Sequence, residues 1–516
     1  MGKLARVQVF AVVLLGGCAS SGPSPETETD ATAVDEFALA QFGDMRWVTP
    51  VDGATVSGTI SLQVAPPSGT TQVIYLVEGT RLELVSSSPW TATFDTRTVP
   101  NGDVHLLAKA KDRSGNVIAR RQIVVHVANS SSPPVADGGS PTTPDSGGGT
   151  TPPPPTTTIV GYGASTVGGN GAPVVDVSSL AQLRTEVART GPKNLRLQGS
   201  GVWDLAGNDL DISRPNLTLD GSRASIVFKG GSFKVTTSQV ILRYIRSRAG
   251  DQSGVPADLD AITVNGNSHP VDHIVIDHCE SMWAPDVAGV FLGAVSDVTV
   301  QYSIYGEGLL HSRHPESGDL DGHGLALNIA STDSTVRPSR MTFYADLVTT
   351  SQGRQPRVIG GEAIDFIDCV FYNYDEGPQG NPASLNLIGD VWKWGPASRA
   401  AGLGDPTRLL WRFTPGGHGA FDTRQDRVVY ISDSYPIGFT PQAPSGDDAA
   451  VLTSSPRVPP SVASVGSRAA YDLVLAQAGA RLPSADAQTQ RLIANLRNAT
   501  GTYYSGAGNP GPNPTW

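Results

Sequence analysis

The chain has 516 residues, 39% of them apolar, more than one compact core accommodates, so two or more domains are expected. Its 37 Lys and Arg stand against 48 Asp and Glu, a net charge of -11 that argues against nucleic acid as a partner.

At the amino terminus Lys3 and Arg6 precede an apolar run from Val7 to Leu15, then Leu15-Gly16-Gly17-Cys18. The run is too short to span a bilayer and has the layout of a secretory signal over residues 1–18. Leu-Gly-Gly-Cys resembles a bacterial lipobox, which implies lipidation at Cys18; an ordinary cleaved signal is the alternative. Either predicts export, with any membrane contact made only through a lipid anchor. Residues 19–44 are rich in Ser, Pro, Thr and acids without apolar period, the composition of a disordered tether.

Between residues 45 and 129 the alternation of a half-buried strand recurs at Ile60/Leu62/Val64, Val73/Tyr75/Val77, Val104/Leu106/Ala108/Ala110 and Ile123/Val125/Val127. Turn signals at Asp52-Gly53, Asn101-Gly102 and Ser114-Gly115-Asn116 separate the runs and predict a small β-sandwich. Thr49-Pro50-Val51-Asp52-Gly53, Ser88-Pro89-Trp90 and Asp112-Arg113-Ser114-Gly115-Asn116 resemble the bacterial Ig-like modules of secreted polysaccharide enzymes. With no aromatic platform evident, a spacer is favoured over a glycan-binding role. A Pro, Thr, Ser and Gly rich linker covers residues 130–158.

From residue 159 onward one short pattern repeats: polar or small, apolar, variable, apolar. Its first apolar positions are Leu217, Val240, Ile274, Val298, Met341, Ile364 and Leu385, with steps of 23, 34, 24, 43, 23 and 21 residues. An antiparallel sandwich spaces its strands at about 8–12 residues. A near-constant longer unit, stretched twice, predicts a stacked parallel β-solenoid whose enlarged coils place loops along one flank. A helix at about Ser179 to Arg189, with Leu180, Leu183 and Val187 on one face, is expected to cover the first coil. Two further helices, Ser467 to Ala478 and Ser484 to Arg497, each opening on a Ser, are expected on the outside. Cys279 and Cys369 lie three coils apart, which at about 4.8 Å per coil is beyond disulfide reach. Both are predicted to be buried free thiols.

The enlarged coils carry the chemistry. Asp258, Asp260 and Asp286 are candidates for a cluster of hard oxygen ligands suited to calcium, with solvated loop acids as the alternative. Arg354-Gln355-Pro356-Arg357 offers two guanidinium groups matched to carboxylates. His311, Arg313, His314 and His323 share one insertion.

Gln239-Val240-Ile241-Leu242-Arg243-Tyr244-Ile245-Arg246, Val275-Ile276-Asp277-His278-Cys279, Val298-Thr299-Val300-Gln301-Tyr302-Ser303, Arg354-Gln355-Pro356-Arg357 and the tail from Ala470 to Ala480 together resemble the pectate lyases. The resemblance covers about Ile159 to Gly501. It implies a right-handed parallel β-helix, acting as a monomer on polygalacturonate by calcium-assisted β-elimination. It also implies Arg354 as the base, Arg357, Arg313, His314 and His323 as substrate-binding residues, and Asp258, Asp260 and Asp286 as calcium ligands. A guanidinium is a poor base, because its pKa lies above about 12. Arg354 is therefore expected to have no acidic partner in the free enzyme. The chain departs from the resemblance at Val287 and Val290, where a second acid is expected, and at Ile359, where a further arginine is expected. Gly322-His323-Gly324 resembles a polygalacturonase motif, which keeps a hydrolase open, and a non-catalytic glycan-binding solenoid is the third alternative.

Overall fold

The computed structural model describes residues 45–77, 80–99, 102–113, 117–129, 158–252, 254–315, 322–331, 335–399, 427–506 and 512–516. The expectations for the signal over residues 1–18 with Cys18, the tether over 19–44 and the linker over 130–157 lie outside the described residues. No described helix is long and apolar enough to cross a membrane.

Strands between Arg46 and Val127 form a three-stranded antiparallel sheet and a five-stranded sheet, antiparallel except for one short edge pairing. Alternate residues of both sheets, among them Leu62, Val64, Val73, Tyr75, Phe94, Leu106, Ala108 and Val125, meet in one buried core. Period-2 patterning thus yields two facing sheets, a β-sandwich.

Beyond residue 174 the strands pair in parallel, coil on coil. The positions counted from the sequence stand in one column: Leu217, Val240, Ile274, Val298, Met341, Ile364 and Leu385 each align with the next, and Val429 adds an eighth. Each is fully buried, as are the second apolar positions Leu219, Leu242, Ile276, Val300, Phe343, Phe366 and Leu387. Side chains two apart share a face of a strand, so the pattern buries both rows against neighbouring coils. Four residues beyond the column the backbone turns through the left-handed region, at Tyr244, His278, Tyr302, Ala345, Asp368 and Asp433, with φ between 51 and 59°. Stacking recovers part of that conformational cost, the rings of Tyr244, His278 and Tyr302 lying 4.9 Å apart in succession.

The variable position between the apolar pair faces outward, yet Val275, Thr299, Thr342, Asp365 and Asn386 in this row are buried. Two straps cover them. Entering the solenoid, the chain crosses successive coils: the N–H groups of Tyr162, Gly163, Val167 and Gly169 donate to Thr342 Oγ1, Thr299 Oγ1, Gln239 Oε1 and Thr218 Oγ1 at 2.8–3.1 Å. Glycine is required for this approach, since a Cβ at Gly163 would lie 2.6 Å from Thr299 N and one at Gly169 2.0 Å from Lys193 O. From the other end, Ser461 N–H donates to Asp365 Oδ2 at 2.7 Å and Asn386 Nδ2 donates to Val458 O at 3.0 Å. The straps meet at Thr342, whose hydroxyl shares a 2.7 Å bond with that of Ser461.

Helix α1 (Leu180–Ala188) begins at Ser179, whose hydroxyl accepts from Gln182 N–H, and packs Leu183 and Val187 on the first-coil residues Leu195 and Leu197. Helices α2 (Ser467–Gln477) and α3 (Ala487–Asn498) lie on the solenoid, where Ala470, Val474, Leu492 and Leu496 meet Met282, Ile304, Leu347 and Tyr372. The cap of α3 is Asp486 rather than Ser484, accepting from the N–H groups of Gln488 and Thr489. Asp486 also pairs with Arg248, which in turn bonds Glu280, and both of those partners are fully buried. At the opposite end of α3, Lys393 Nζ donates to Leu496 O and Arg497 O, neutralising the negative end of the helix. Cys279 and Cys369 are buried free thiols.

Candidate functional site

The enlarged coils deliver their charged residues to the entrance of one parallel sheet. Val287 pairs with Leu325, and Asn328 pairs with Arg357 one coil further on. Asp286 N–H donates to Leu259 O, and Leu327 N–H donates to Arg354 O. This register brings Asp260, Asp286, His323 and Arg354 together from consecutive coils, each about 4.8 Å from the next.

Asp286 is the centre. His323 Nε2 lies 3.0 Å from Asp286 Oδ1, and Arg354 Nη1 lies 3.8 Å from the same oxygen. The imidazole rings of His314 and His323 stack with centroids 4.0 Å apart and planes within 4°. One ligand atom each from Asp286, His314 and His323 falls within 4.8 Å of the others. Burial works to raise the Asp286 carboxyl, but the His323 hydrogen bond and the Arg354 charge prevail and hold it below its ordinary range.

Asp260 behaves oppositely. Burial first, then the Asp286 charge, push its carboxyl up to about 8. Both its oxygens are engaged, Oδ2 by the Thr263 hydroxyl at 3.1 Å and Oδ1 by Val287 N–H at 3.2 Å. Two neighbouring carboxylates thus divide into one that retains its proton near neutral pH and one that stays charged.

The expected site residues fare differently. Asp260 and Asp286 converge, while Asp258 is exposed and outside the group around Asp286. Arg313, expected to hold substrate, donates from Nε to Asp251 O and from Nη2 to Gln252 O and Val255 O, at 2.6–2.8 Å. A guanidinium fork filled by three main-chain carbonyls fastens the loop before Asp258. Arg354, expected to have no acidic partner, has Asp286 beside it, because the coil carrying Asp286 stacks within one coil of Arg354's neighbours. Its backbone is left-handed at φ 58°, the conformation also taken at the coil turns of Tyr244, His278 and Asp368. Arg357 is half-buried at the start of the next strand. The grouping of His314 and His323 with a carboxylate was not part of the sequence reading. Its only signal there was two histidines bracketing one insertion.

An all-oxygen calcium shell takes six to eight ligands. Around Asp286 the described ligand group is its own carboxylate with two imidazoles, and Val287 and Val290 form a buried apolar cluster with Leu325. Among the described residues, the group around Asp286 is not an all-oxygen calcium cage.

A family profile described as a bacterial Ig domain matches residues 44–108. The probable pectate lyase C of Aspergillus flavus is 26% identical over 250 residues, covering 46% of this chain and 53% of that protein. The chain thus spans about half the length of the curated relatives it matches. Among solved structures, a Bacillus subtilis pectate lyase variant aligns over 63% of this chain and 98% of its own, at 17% identity and a TM-score of 0.43. The major cedar pollen allergen aligns over 62% and 92%, at 15% identity and a TM-score of 0.44. The protein carries a bacterial Ig domain followed by a parallel β-helix whose sequence relatives are pectate lyases.

Proposed function

We propose that the chain cleaves polygalacturonate by β-elimination in the groove around Asp286 and Arg354. The observation that carries this reading is the convergence of Arg354 with Asp286 and His323 on the flank built by the enlarged coils. In the elimination a base removes the hydrogen on the carbon next to a uronate carboxylate, a carbon–carbon double bond forms, and the glycosidic oxygen departs with the bonding pair. Cationic groups stabilise the charge that develops on the carboxylate-bearing carbon.

Arg354 is the proposed base and Arg357 the carboxylate clamp. The Asp286 charge favours the protonated guanidinium and opposes this role. His314 lies on the same flank, where it would meet the polymer backbone, and His323, stacked on it, is buried against Asp286.

The test is the ultraviolet absorbance of an unsaturated product from polygalacturonate. We expect absorbance with the wild-type chain and its loss in Arg354→Ala. Reducing ends without absorbance would indicate a hydrolase. The Asp286–Arg354 proximity favours a second reading, in which the groove binds pectin without cutting it; intact affinity with no product under any added metal would establish that reading.

The proposal also includes export, with Cys18 as a lipid anchor. Cys18→Ser should abolish incorporation of labelled fatty acid and release the protein from membranes.

A further inference from the structure

We propose that Asp286, His314 and His323 form a site for a first-row transition-metal dication of the zinc class, and not for calcium. The donors set the choice. Imidazole nitrogen suits zinc and its neighbours, whereas calcium is held by oxygen. Of the three ligand groups, only Asp286 supplies oxygen.

Distances agree with this. Bonds of about 2.0–2.1 Å in tetrahedral array place neighbouring ligand atoms about 3.3 Å apart. His323 Nε2 and Asp286 Oδ1 are already 3.0 Å apart, so an ion replaces the proton they share with little movement. His314 must turn: its ring lies parallel to that of His323 at 4.0 Å, and parallel rings direct their lone pairs side by side. His323 is buried and Asp286 largely so, which fixes two ligands on the solenoid while His314 comes from the insertion. Three protein ligands leave a fourth position for water or a uronate oxygen. The dication would also compete with Arg354 for Asp286. The site lies in the groove assigned above, but the inference rests on the donor set and not on the lyase reading.

The test uses the full chain without an affinity tag, stripped with chelator and titrated calorimetrically with Zn2+, Co2+ and Ca2+. We expect one Zn2+ per chain and a Co2+ spectrum of four-coordinate nitrogen and oxygen ligation. Millimolar Ca2+ should not displace the ion. His314→Ala and Asp286→Asn should each weaken Zn2+ binding about tenfold or more, with Asp286→Asn preserving side-chain shape in case the alanine variant folds poorly. Equal Zn2+ affinity in the His314→Ala/His323→Ala double variant, no Zn2+ binding, or displacement by Ca2+ would each overturn the proposal. Product formation is assayed separately and without added metal, so loss of the metal site leaves the lyase reading standing on its own result.

Discussion

Removing the Asp486 carboxylate should release α3 from the solenoid. Asp486 Oδ2 and Oδ1 lie 2.8 and 2.9 Å from the two Arg248 amino groups, and Oδ2 lies 3.6 Å from Arg246 Nε. With Glu280, two cations and two anions balance; deleting Asp486 leaves a net positive charge where Arg248 is 1% exposed and Glu280 0%. Loss of the helix cap costs about 1 kcal/mol. Breaking a buried ion pair from one side costs about 3–5 kcal/mol. Because Arg248 keeps Glu280, we expect about 3–5 kcal/mol in all for Asp486→Ala. Asp486→Asn retains the cap and should cost about 1 kcal/mol less. Burial opposes it, but the Arg248 bond and charge depress the Asp486 carboxyl well below its ordinary value. Its contribution is therefore complete above the unfolded value of about 3.9 and fades as pH falls through the folded value. Hydrogen exchange of the amides from 487 to 498, with thermal unfolding as a function of pH, measures the effect. Wild-type exchange of α3 in Asp486→Ala would refute the reasoning.

Asp260→Asn should stabilise the protein at pH 8 relative to wild type. A carboxyl raised to about 8 binds more protons folded than unfolded between about pH 4 and 8, so wild-type stability declines across that window. The carboxamide can accept from Val287 N–H and donate to the Thr263 hydroxyl; a difference in melting temperature that does not vanish toward pH 4 would contradict this. Gly163→Ala should lower thermal stability by about 1–3 kcal/mol, an overpacking cost, and a melting curve identical to wild type would contradict the close strap. Arg313→Ala should make the main chain near Asp251 and Val255 sensitive to protease while changing affinity for oligogalacturonate less than about twofold, as expected when bonds to main-chain carbonyls rather than a substrate contact are lost.

The column from Leu217 to Leu385 was legible because inward positions must be apolar and recur at one unit length, so register follows from counting. The straps were not. Their bonds join main chain to side chains far away in sequence, Tyr162 to Thr342 being 180 residues apart, and no local period records such a contact. The outward row read as variable for the same reason, since Thr299 and Asp365 are polar to suit the straps and not to meet water. The carbonyl bonds of Arg313 were not legible, because a cation in a loop looks alike whether it awaits a carboxylate or already holds three carbonyls. Arg354 and Asp286 were each identifiable, but their 3.8 Å separation depends on the lengths of the intervening loops, which periodicity leaves free. Both Ser484 and Asp486 are acceptable caps, and pairing with Arg248 favours the second.

A stack whose coils touched only their neighbours could fray from either end and regrow. The two straps and the Asp486 clasp remove that freedom by tying early coils to segments near both extremities of the solenoid. During synthesis the outward row remains half bare until residues 457–466 arrive, and Arg248 waits for an acid 238 residues downstream. Chains truncated short of that point are expected to present unfinished β-faces, an aggregation hazard that the last segments of the solenoid remove.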